Sequence, residues 1–367
     1  VFATTILGTL YALRQFRRRP EAPIVADASL PAVSILKPVK GAESDFADNI
    51  QTFFELDYPR FELVFSVADA SDAAVEPIRR LQLTYPHVPS RLIVGSVDVG
   101  PNPKVNNLVR PYAAARHDVI LISDSNVRAP ADYLRRVVGE LDDDVGVVSA
   151  VIAGRGPSGL GGLLEATYLN SFYARWMHIS SAFGHSFVVG KSMLFRRSAM
   201  DRIGGIANLS RYIAEDYMAG QAMRRLGLRV VIMPEPIPQH LGKHSFHDFW
   251  SRHVRWGRIR KAQAPLAFLV EPLFCSPVAG AIGAFAASTL LGFAGWKFFL
   301  LHWTLWCVAD LVLMRTLAPG FSFRMLPSWF LREVLAVPLW LHMAVGSSID
   351  WRGNRLRILP GGLLSKT

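Results

Sequence analysis

Charge is scarce in this sequence. Asp, Glu, Lys and Arg together supply 19 % of its 367 residues, against about 25 % in ordinary soluble domains. Hydrophobic residues supply 51 % and the mean hydropathy is +0.24, so part of the chain is expected in lipid. Cysteine is nearly absent. Cys275 and Cys307 are the only two, both in apolar stretches, which excludes a disulfide scaffold and suits buried, inert thiols. Internal repeats and low-complexity tracts are missing, and the apolar content excludes a disordered chain. Lysine is sparse too, with 8 among 40 basic residues. The basic residues exceed the 29 acidic ones by 11, a surplus that suits an anionic membrane face or phosphorylated substrates. No nucleic-acid-binding motif accompanies it, so no nucleic-acid partner is expected.

The chain divides by composition. Val1–Leu13 is apolar or small, and Arg14, Arg17, Arg18 and Arg19 follow. Thirteen residues rise only about 20 Å as a helix, short of the roughly 30 Å hydrocarbon core. With no initiator Met, residues 1–19 are expected to be the C-terminal part of an N-terminal transmembrane helix. A signal peptide carries its positive charge before the apolar run, so this Arg cluster marks the cytoplasmic side.

Residues 32–262 predict a cytosolic α/β domain. Short runs rich in β-branched residues recur at Val33–Leu36, Phe61–Val67, Arg91–Val94, Val119–Ile122 and Val145–Val151. Amphipathic, helix-length stretches near Asp45–Leu56, Ala73–Tyr85, Val105–Ala115 and Ala131–Leu141 separate them. That alternation predicts a parallel sheet wrapped by helices, with ligands bound beyond the carboxyl ends of the strands. Residues 265–350 predict transmembrane or interfacial helices. Cys275–Phe293 lacks charge, Trp296–Met314 holds Asp310, and Trp329–Ile349 holds Arg332 and Glu333. Asp310 is expected to face protein rather than lipid. A basic tail, residues 351–367 with Arg352, Arg355 and Arg357, favours the cytoplasm. Three full crossings would place that tail outside, so one segment is expected to be interfacial or re-entrant.

Four polar clusters stand where such a fold puts its chemistry. Asp69 follows the second strand and suits hydrogen bonds from a base or ribose, although Asx turns use the same residues. Lys104 opens a helix, where a cation and a helix N-terminus together favour an anionic ligand. Asp124 ends the apolar run Ile120–Ile122, and one hard oxygen there suits Mg2+ or Mn2+ bridged to phosphates. Asp216, beside Glu215, opens an amphipathic helix, and Arg252, Arg255 and Trp256 lie on a later one. The histidines His240, His244 and His247 fit no zinc spacing. Gly154–Gly162 is glycine-rich without the Gly-Lys-Ser/Thr of a phosphate loop, and reads as a mobile connection.

The ordered series resembles the metal-dependent inverting glycosyltransferases of the GT-A fold, and within them the ceramide glucosyltransferase family. The resemblance rests on Val33-Ser34-Ile35-Leu36-Lys37-Pro38-Val39-Lys40-Gly41, Phe53-Phe54-Glu55-Leu56-Asp57-Tyr58-Pro59, Asn102-Pro103-Lys104-Val105-Asn106-Asn107-Leu108 and Tyr212-Ile213-Ala214-Glu215-Asp216-Tyr217, and runs on to Trp351-Arg352. It implies a Rossmann-like mixed sheet plus transmembrane helices, and a pattern of three separated Asp followed by Gln/Arg-x-x-Arg-Trp. That pattern falls on Asp69, Asp124, Asp216 and Arg252-His253-Val254-Arg255-Trp256. By resemblance, Asp69 holds the uracil or ribose, and Asp124 the metal on the nucleotide diphosphate. Asp216 is general base for the acceptor hydroxyl, Arg255 binds pyrophosphate, and Trp256 walls the sugar or acceptor site. The third position of the usual metal motif is Asn126, so metal ligation leans on Asp124 alone. The His that animal members carry near Phe172–Arg175 is missing, with His178 just beyond.

The resemblance thus implies an integral membrane enzyme that moves a hexose, with UDP-glucose as the favoured donor, to the primary hydroxyl of ceramide, giving a β-glycosylceramide. Two alternatives remain open at this point. One is the same chemistry on another membrane lipid such as a hopanoid. The other is a non-catalytic membrane protein that binds nucleotide sugars.

Overall fold

The computed structural model describes residues 2–17, 27–43, 45–318, 325–351 and 353–366. Arg18, Arg19 and Arg352 lie outside the described residues. In chain order the elements are α1 (Phe2–Arg17), β1 (Val33–Val39), α2 (Phe46–Phe54), β2 (Phe61–Val67), α3 (Val75–Thr84), β3 (Ser90–Val94), α4 (Pro103–Ala114), β4 (Val119–Ile122), α5 (Tyr133–Gly139) and β5 (Val145–Ser158). Next come α6 (Gly159–Tyr168), a π-type turn at Leu169–Tyr173, α7 (Ala174–Ala182), β6 (Met193–Arg196), α8 (Arg197–Arg202), α9 (Glu215–Arg225) and β7 (Arg229–Lys243). The chain continues through α10 (Phe246–Gln263), α11 (Pro265–Val270), α12 (Ser276–Leu291), α13 (Gly295–Leu317) and α14 (Leu326–Ala344) to the strands β8 (Ser348–Trp351), β9 (Asn354–Ile358) and β10 (Leu364–Lys366). It forms two compact units. One comprises residues 1–17, 153–179 and 241–367, and the other residues 18–152 and 180–240.

The second unit is built on a seven-stranded sheet in the order β3-β2-β1-β4-β6-β5-β7. Strands β3, β2, β1 and β4 run parallel, and β6 is antiparallel to both β4 and β5. The sheet is therefore mixed and mainly parallel. Strands covered on both faces read as continuous apolar runs, and β1, β2 and β4 are buried along almost their whole length. Leu36, Val64, Ile120, Ile122 and Phe195 of the sheet pack against Leu108 of α4 and Met223 of α9. Because β1, β2 and β4 are parallel, their carboxyl ends open on one side, and the loops there carry the polar clusters.

Two polar side chains fix those ends. Asn107 of α4 donates to the carbonyls of Val39 (3.3 Å) and Ser66 (3.0 Å), tying the end of β1 to that of β2. Asp72 accepts from the N–H of Gly41 at 3.0 Å on each oxygen and from Ala74 at 2.9 Å. Gly41 sits at φ 74°, a conformation that glycine adopts without steric cost.

The other unit is helical, with the small antiparallel sheet β8–β10. Of the described helices, α13 is long and apolar enough to cross a membrane. Its residues divide by face. Leu301, Leu305, Val308 and Val312 are exposed, while His302, Trp306, Ala309, Asp310 and Leu313 are buried. Each set recurs at intervals of three and four residues, so each forms its own stripe along the helix. Asp310 is fully buried as expected, paired with Arg175 and accepting from Trp329 Nε1 at 2.8 Å, while Arg175 Nε donates to Thr9 Oγ1 at 3.0 Å. In the preceding apolar stretch α12 has 16 residues, about 24 Å of rise, and meets the segment Pro265–Phe274 at a 68° bend; the bent pair together is long and apolar enough for a broken span or a re-entrant loop. The glycine-rich segment differs from the expectation, being no loose connection: Gly154 and Gly156 lie in β5, and Gly159–Gly162 opens α6. Gly154 is pinned by Asn170, which bonds both its N–H and its C=O at 2.9 Å.

Candidate active site

The string Asn102–Asn107 builds the site's frame. Asn102 caps α4 by accepting from the N–H of Lys104 (2.9 Å) and Val105 (3.1 Å). Its amide donates to the Tyr212 carbonyl (2.7 Å) and to Glu215 Oε2 (3.2 Å), which joins the start of α4 to the start of α9. Asn106 holds the loop before α4 by donating to the Gly100 carbonyl at 2.8 Å. Removing a cap of this kind costs about 1 kcal/mol.

Lys104 then projects into a ring of acids. Its Nζ lies 3.0 Å from Asp124 Oδ1 and 3.0 Å from Glu215 Oε1, and it donates to the Gly190 carbonyl at 3.3 Å. Gly190 in turn donates its N–H to Asp216 Oδ2 at 2.6 Å, and Tyr217 N–H donates to Asp216 Oδ1 at 2.7 Å. A Cβ on Gly190 would stand 2.7 Å from Lys104 Nζ and 3.1 Å from Asp216 Oδ2, so a side chain there would push the ammonium out of its present place. On its other side Asp124 faces Lys191, whose Nζ is 3.8 Å from Oδ2 and donates to Asn126 Oδ1 at 3.0 Å. Lys104, Asp124 and Asp216 are therefore brought together, joined by Glu215, Lys191 and Asn126.

These contacts set the proton affinities. Burial pushes the Asp216 carboxyl up to about 6, and the neighbouring Glu215 charge adds to it. Lys104 and the two backbone N–H donors pull part of the way back. For Lys104, burial disfavours the ammonium, but Asp124, Glu215 and Asp216 more than reverse this and hold it above its ordinary value. The cluster thus contains a fixed cation and a carboxylate poised near neutral pH, which is what proton removal from an alcohol requires.

Asp69 stands apart from this cluster as an exposed turn residue. Its Oδ1 accepts from the Ser71 hydroxyl (2.6 Å) and the Ser71 N–H (2.7 Å), and these bonds hold its carboxyl below the usual range. Arg252, Arg255 and Trp256 lie on α10, in the helical unit, half-buried. There Arg252 donates to His244 Nε2 at 3.1 Å and lies 3.5 Å from Glu165 Oε1, while His253 Nε2 is 3.0 Å from Glu165 Oε2. The Trp256 ring is 5.3 Å from that of His253 and 6.2 Å from that of Tyr168. His240 pairs with Asp45 at 2.7 Å. His178 is buried and meets the Phe16 ring edge-on at 4.6 Å.

Among the described residues, no three His, Cys, Asp or Glu side chains gather as a protein-only metal cage. Asp124, whose side chain keeps 31 % of its exposure, fits a metal of a different kind. A hard divalent ion held by one carboxylate draws its remaining ligands from water and phosphate.

Sequence reasoning did not single out Lys37 or Lys191. Lys37, on β1, is fully buried, donates to Ser123 Oγ and to the Asp124 carbonyl at 3.1 Å each, and stands 3.2 Å above the Phe53 ring. Burial drives its pKa well below the ordinary lysine value, with the Asp124 charge opposing. A lysine inside an otherwise apolar strand was the signal. Lys37→Met should keep the fold, because a buried amine is exchanged for an apolar chain of similar volume. It releases the backbone of Asp124, so affinity for the phosphate-bearing ligand should fall about tenfold, the equivalent of one hydrogen bond to a charged group. Calorimetry beside a melting curve checks both halves.

Residues 1–364 match Glycosyl transferase family 21. Ceramide glucosyltransferase 3 of Caenorhabditis elegans is 31 % identical over 360 residues, which cover 96 % of this chain and 78 % of that protein. Ceramide glucosyltransferase 1 of the same organism is 28 % identical over 369 residues, 99 % of this chain and 78 % of that one. Among solved structures, a mannosyltransferase from Pyrobaculum calidifontis in complex with GDP-Man and Mn2+ superimposes with a TM-score of 0.52 at 17 % identity. It covers 94 % of this chain and 96 % of its own, a likeness of fold.

Proposed function

The chain belongs to Glycosyl transferase family 21, whose ceramide glucosyltransferases are its relatives, and from that premise we propose an inverting, metal-dependent transfer of glucose from UDP-glucose to the primary hydroxyl of ceramide. Residues 32–262 are taken as the catalytic domain, facing the cytoplasm, and residues 265–350 as its membrane part. The observation that carries this reading is the position of Lys104, which pairs with the half-buried Asp124, an acid suited to metal and phosphate, and is linked through the Gly190 backbone to Asp216, an acid suited to a proton.

In this reading the acceptor hydroxyl gives its proton to Asp216 as its oxygen attacks the anomeric carbon. The bond from that carbon to the diphosphate oxygen breaks on the opposite side, so an α-linked donor yields a β-glycoside. Negative charge grows on the departing diphosphate. Lys104 is assigned to stabilise it, and Arg255, with Arg252, is assigned to the same charge; such contributions are typically a few kcal/mol each. Asp124 would hold a divalent ion, Mg2+ or Mn2+, which would supply Lewis-acid stabilisation of that charge. Asp69 is assigned to the uracil or ribose, and Trp256 to a wall of the sugar or acceptor site.

The lipid acceptor is supported by α13, whose exposed stripe Leu301, Leu305, Val308 and Val312 suits acyl chains while Asp310 stays inside the protein. Purified enzyme incubated with a panel of UDP-sugars and ceramide should give β-glucosylceramide by mass spectrometry and NMR. Transfer to a hopanoid but not to ceramide would overturn the acceptor assignment. Nucleotide-sugar binding without transfer to any lipid would overturn the enzyme reading.

A further inference from the structure

Where the usual metal motif places a second acid, this chain has Asn126, and the structure sets a lysine upon it. Lys191 Nζ is 3.0 Å from Asn126 Oδ1 and 3.8 Å from Asp124 Oδ2. Lys104 holds the other Asp124 oxygen at 3.0 Å. The acid is thus bracketed by two ammonium groups, with 17 % and 16 % of their side chains exposed. An Asp at position 126 would bring the charge of the trio Asp124, residue 126 and Lys191 to −1, whereas Asn leaves it at zero. Lys104 is itself shared between Asp124 and Glu215, with Asp216 nearby, so its charge adds no surplus. With Asn at 126, the flank of Asp124 that carries Lys191 meets an incoming phosphate as a cation and a neutral amide rather than as a carboxylate.

The backbone holds Lys191 to that place. Its neighbour Gly190 is clamped on both sides, by Asp216 through the N–H and by Lys104 through the C=O. The neutral amide of Asn126 positions the ammonium at 3.0 Å, and the ion pair it makes with Asp124 is the longer contact, at 3.8 Å. An ammonium acts on phosphate as a compact point charge and needs no fixed geometry.

We propose that Lys191 is a further donor-binding residue, whose ammonium contacts the diphosphate of the nucleotide in place of charge that a second metal-binding acid would recruit. This rests on the reading of Asp124 as the pole of the donor's diphosphate. The ligand class it selects is a nucleoside diphosphate over a nucleoside or a nucleoside monophosphate.

The test is calorimetry on the full chain in detergent, with uridine, UMP and UDP, in Mn2+ and separately in excess EDTA. Lys191→Gln should weaken UDP binding roughly ten- to hundredfold, the range for a hydrogen bond to a charged group. The loss should appear with and without metal and shrink as salt is raised. Uridine binding should stay at its wild-type value, and Lys191→Arg should recover part of the UDP affinity. UDP binding by Lys191→Gln at the wild-type level would overturn the proposal. So would an equal loss of uridine and UDP, which marks a damaged loop rather than a missing charge. Wild-type protein that binds UDP no better than uridine would overturn the diphosphate reading of Asp124 itself.

Discussion

Asp216→Asn should bind UDP-sugar close to the wild-type level and transfer it about 10²- to 10⁴-fold more slowly, the usual contribution of a general base. A primary alcohol is a weak nucleophile at neutral pH, and a carboxamide cannot take its proton. Both Asp216 oxygens accept backbone N–H groups, from Gly190 and Tyr217. Asn offers one acceptor for those two donors, so donor binding also serves as the check that the loop survives. The wild-type pH profile carries a second signature. The folded pKa stands at about 6, above the ordinary carboxylate value, so the base is ionised above that pH and lost below it. Transfer should fall as pH drops through about 6, and the residual rate of Asp216→Asn should lack that inflection. Glu215 is buried and engaged by Lys104 and Asn102, which leaves it a positioning role. Near wild-type transfer by Asp216→Asn would move the base to Glu215.

The half of the fold nearest the site was legible because its strands are covered on both faces. Val119–Ile122 and Phe61–Val67 appear in the sequence with the ends they have in the structure, since a continuous apolar run stops where the loop begins. The last strand was not legible. β7 contains Pro234, Pro236 and Pro238 at alternate positions, a pattern that reads as loop. At the edge of the sheet, where β7 lies, alternate residues lacking N–H donors cost few ladder bonds. β6 is four residues long, and its place between β4 and β5 follows from pairing rather than from its own pattern.

The acids were legible singly, and their wiring was not. Asp124 announces itself as a charge ending an apolar strand. Nothing local says that Lys104 bridges it to Glu215, 91 positions further on, or that Lys191 reaches back to Asn126 over 65 positions. Those pairings depend on the order in which parallel strands deliver their loops to one edge. The choice between the adjacent acids Glu215 and Asp216 is likewise made by the start of α9, where one turns to Lys104 and Asn102 and the other to the Gly190 N–H.

Removing Asp124 should abolish turnover, and it should do so in a way that separates the metal from the lysines. In wild-type protein, Mn2+ or Mg2+ is expected to tighten UDP binding, and excess EDTA to stop transfer. Such an ion would supply charge neutralisation on the leaving diphosphate, an effect of several kcal/mol, and each 1.36 kcal/mol is tenfold in rate. Asp124→Ala deletes the carboxylate proposed to hold that ion, so added metal should no longer change UDP affinity. Binding in EDTA should persist, because Lys104 and Lys191 lose an anionic competitor when Asp124 goes. The two substitutions therefore have opposite signatures. Lys191→Gln weakens UDP binding with and without metal, whereas Asp124→Ala erases only the metal-dependent part. Full transfer in excess chelator would end the metal role. Unchanged metal enhancement in Asp124→Ala would place the ion on another residue. Loss of all UDP binding in that variant would mean that Asp124 orders the loop, because a carboxylate without its metal repels the diphosphate that the lysines attract.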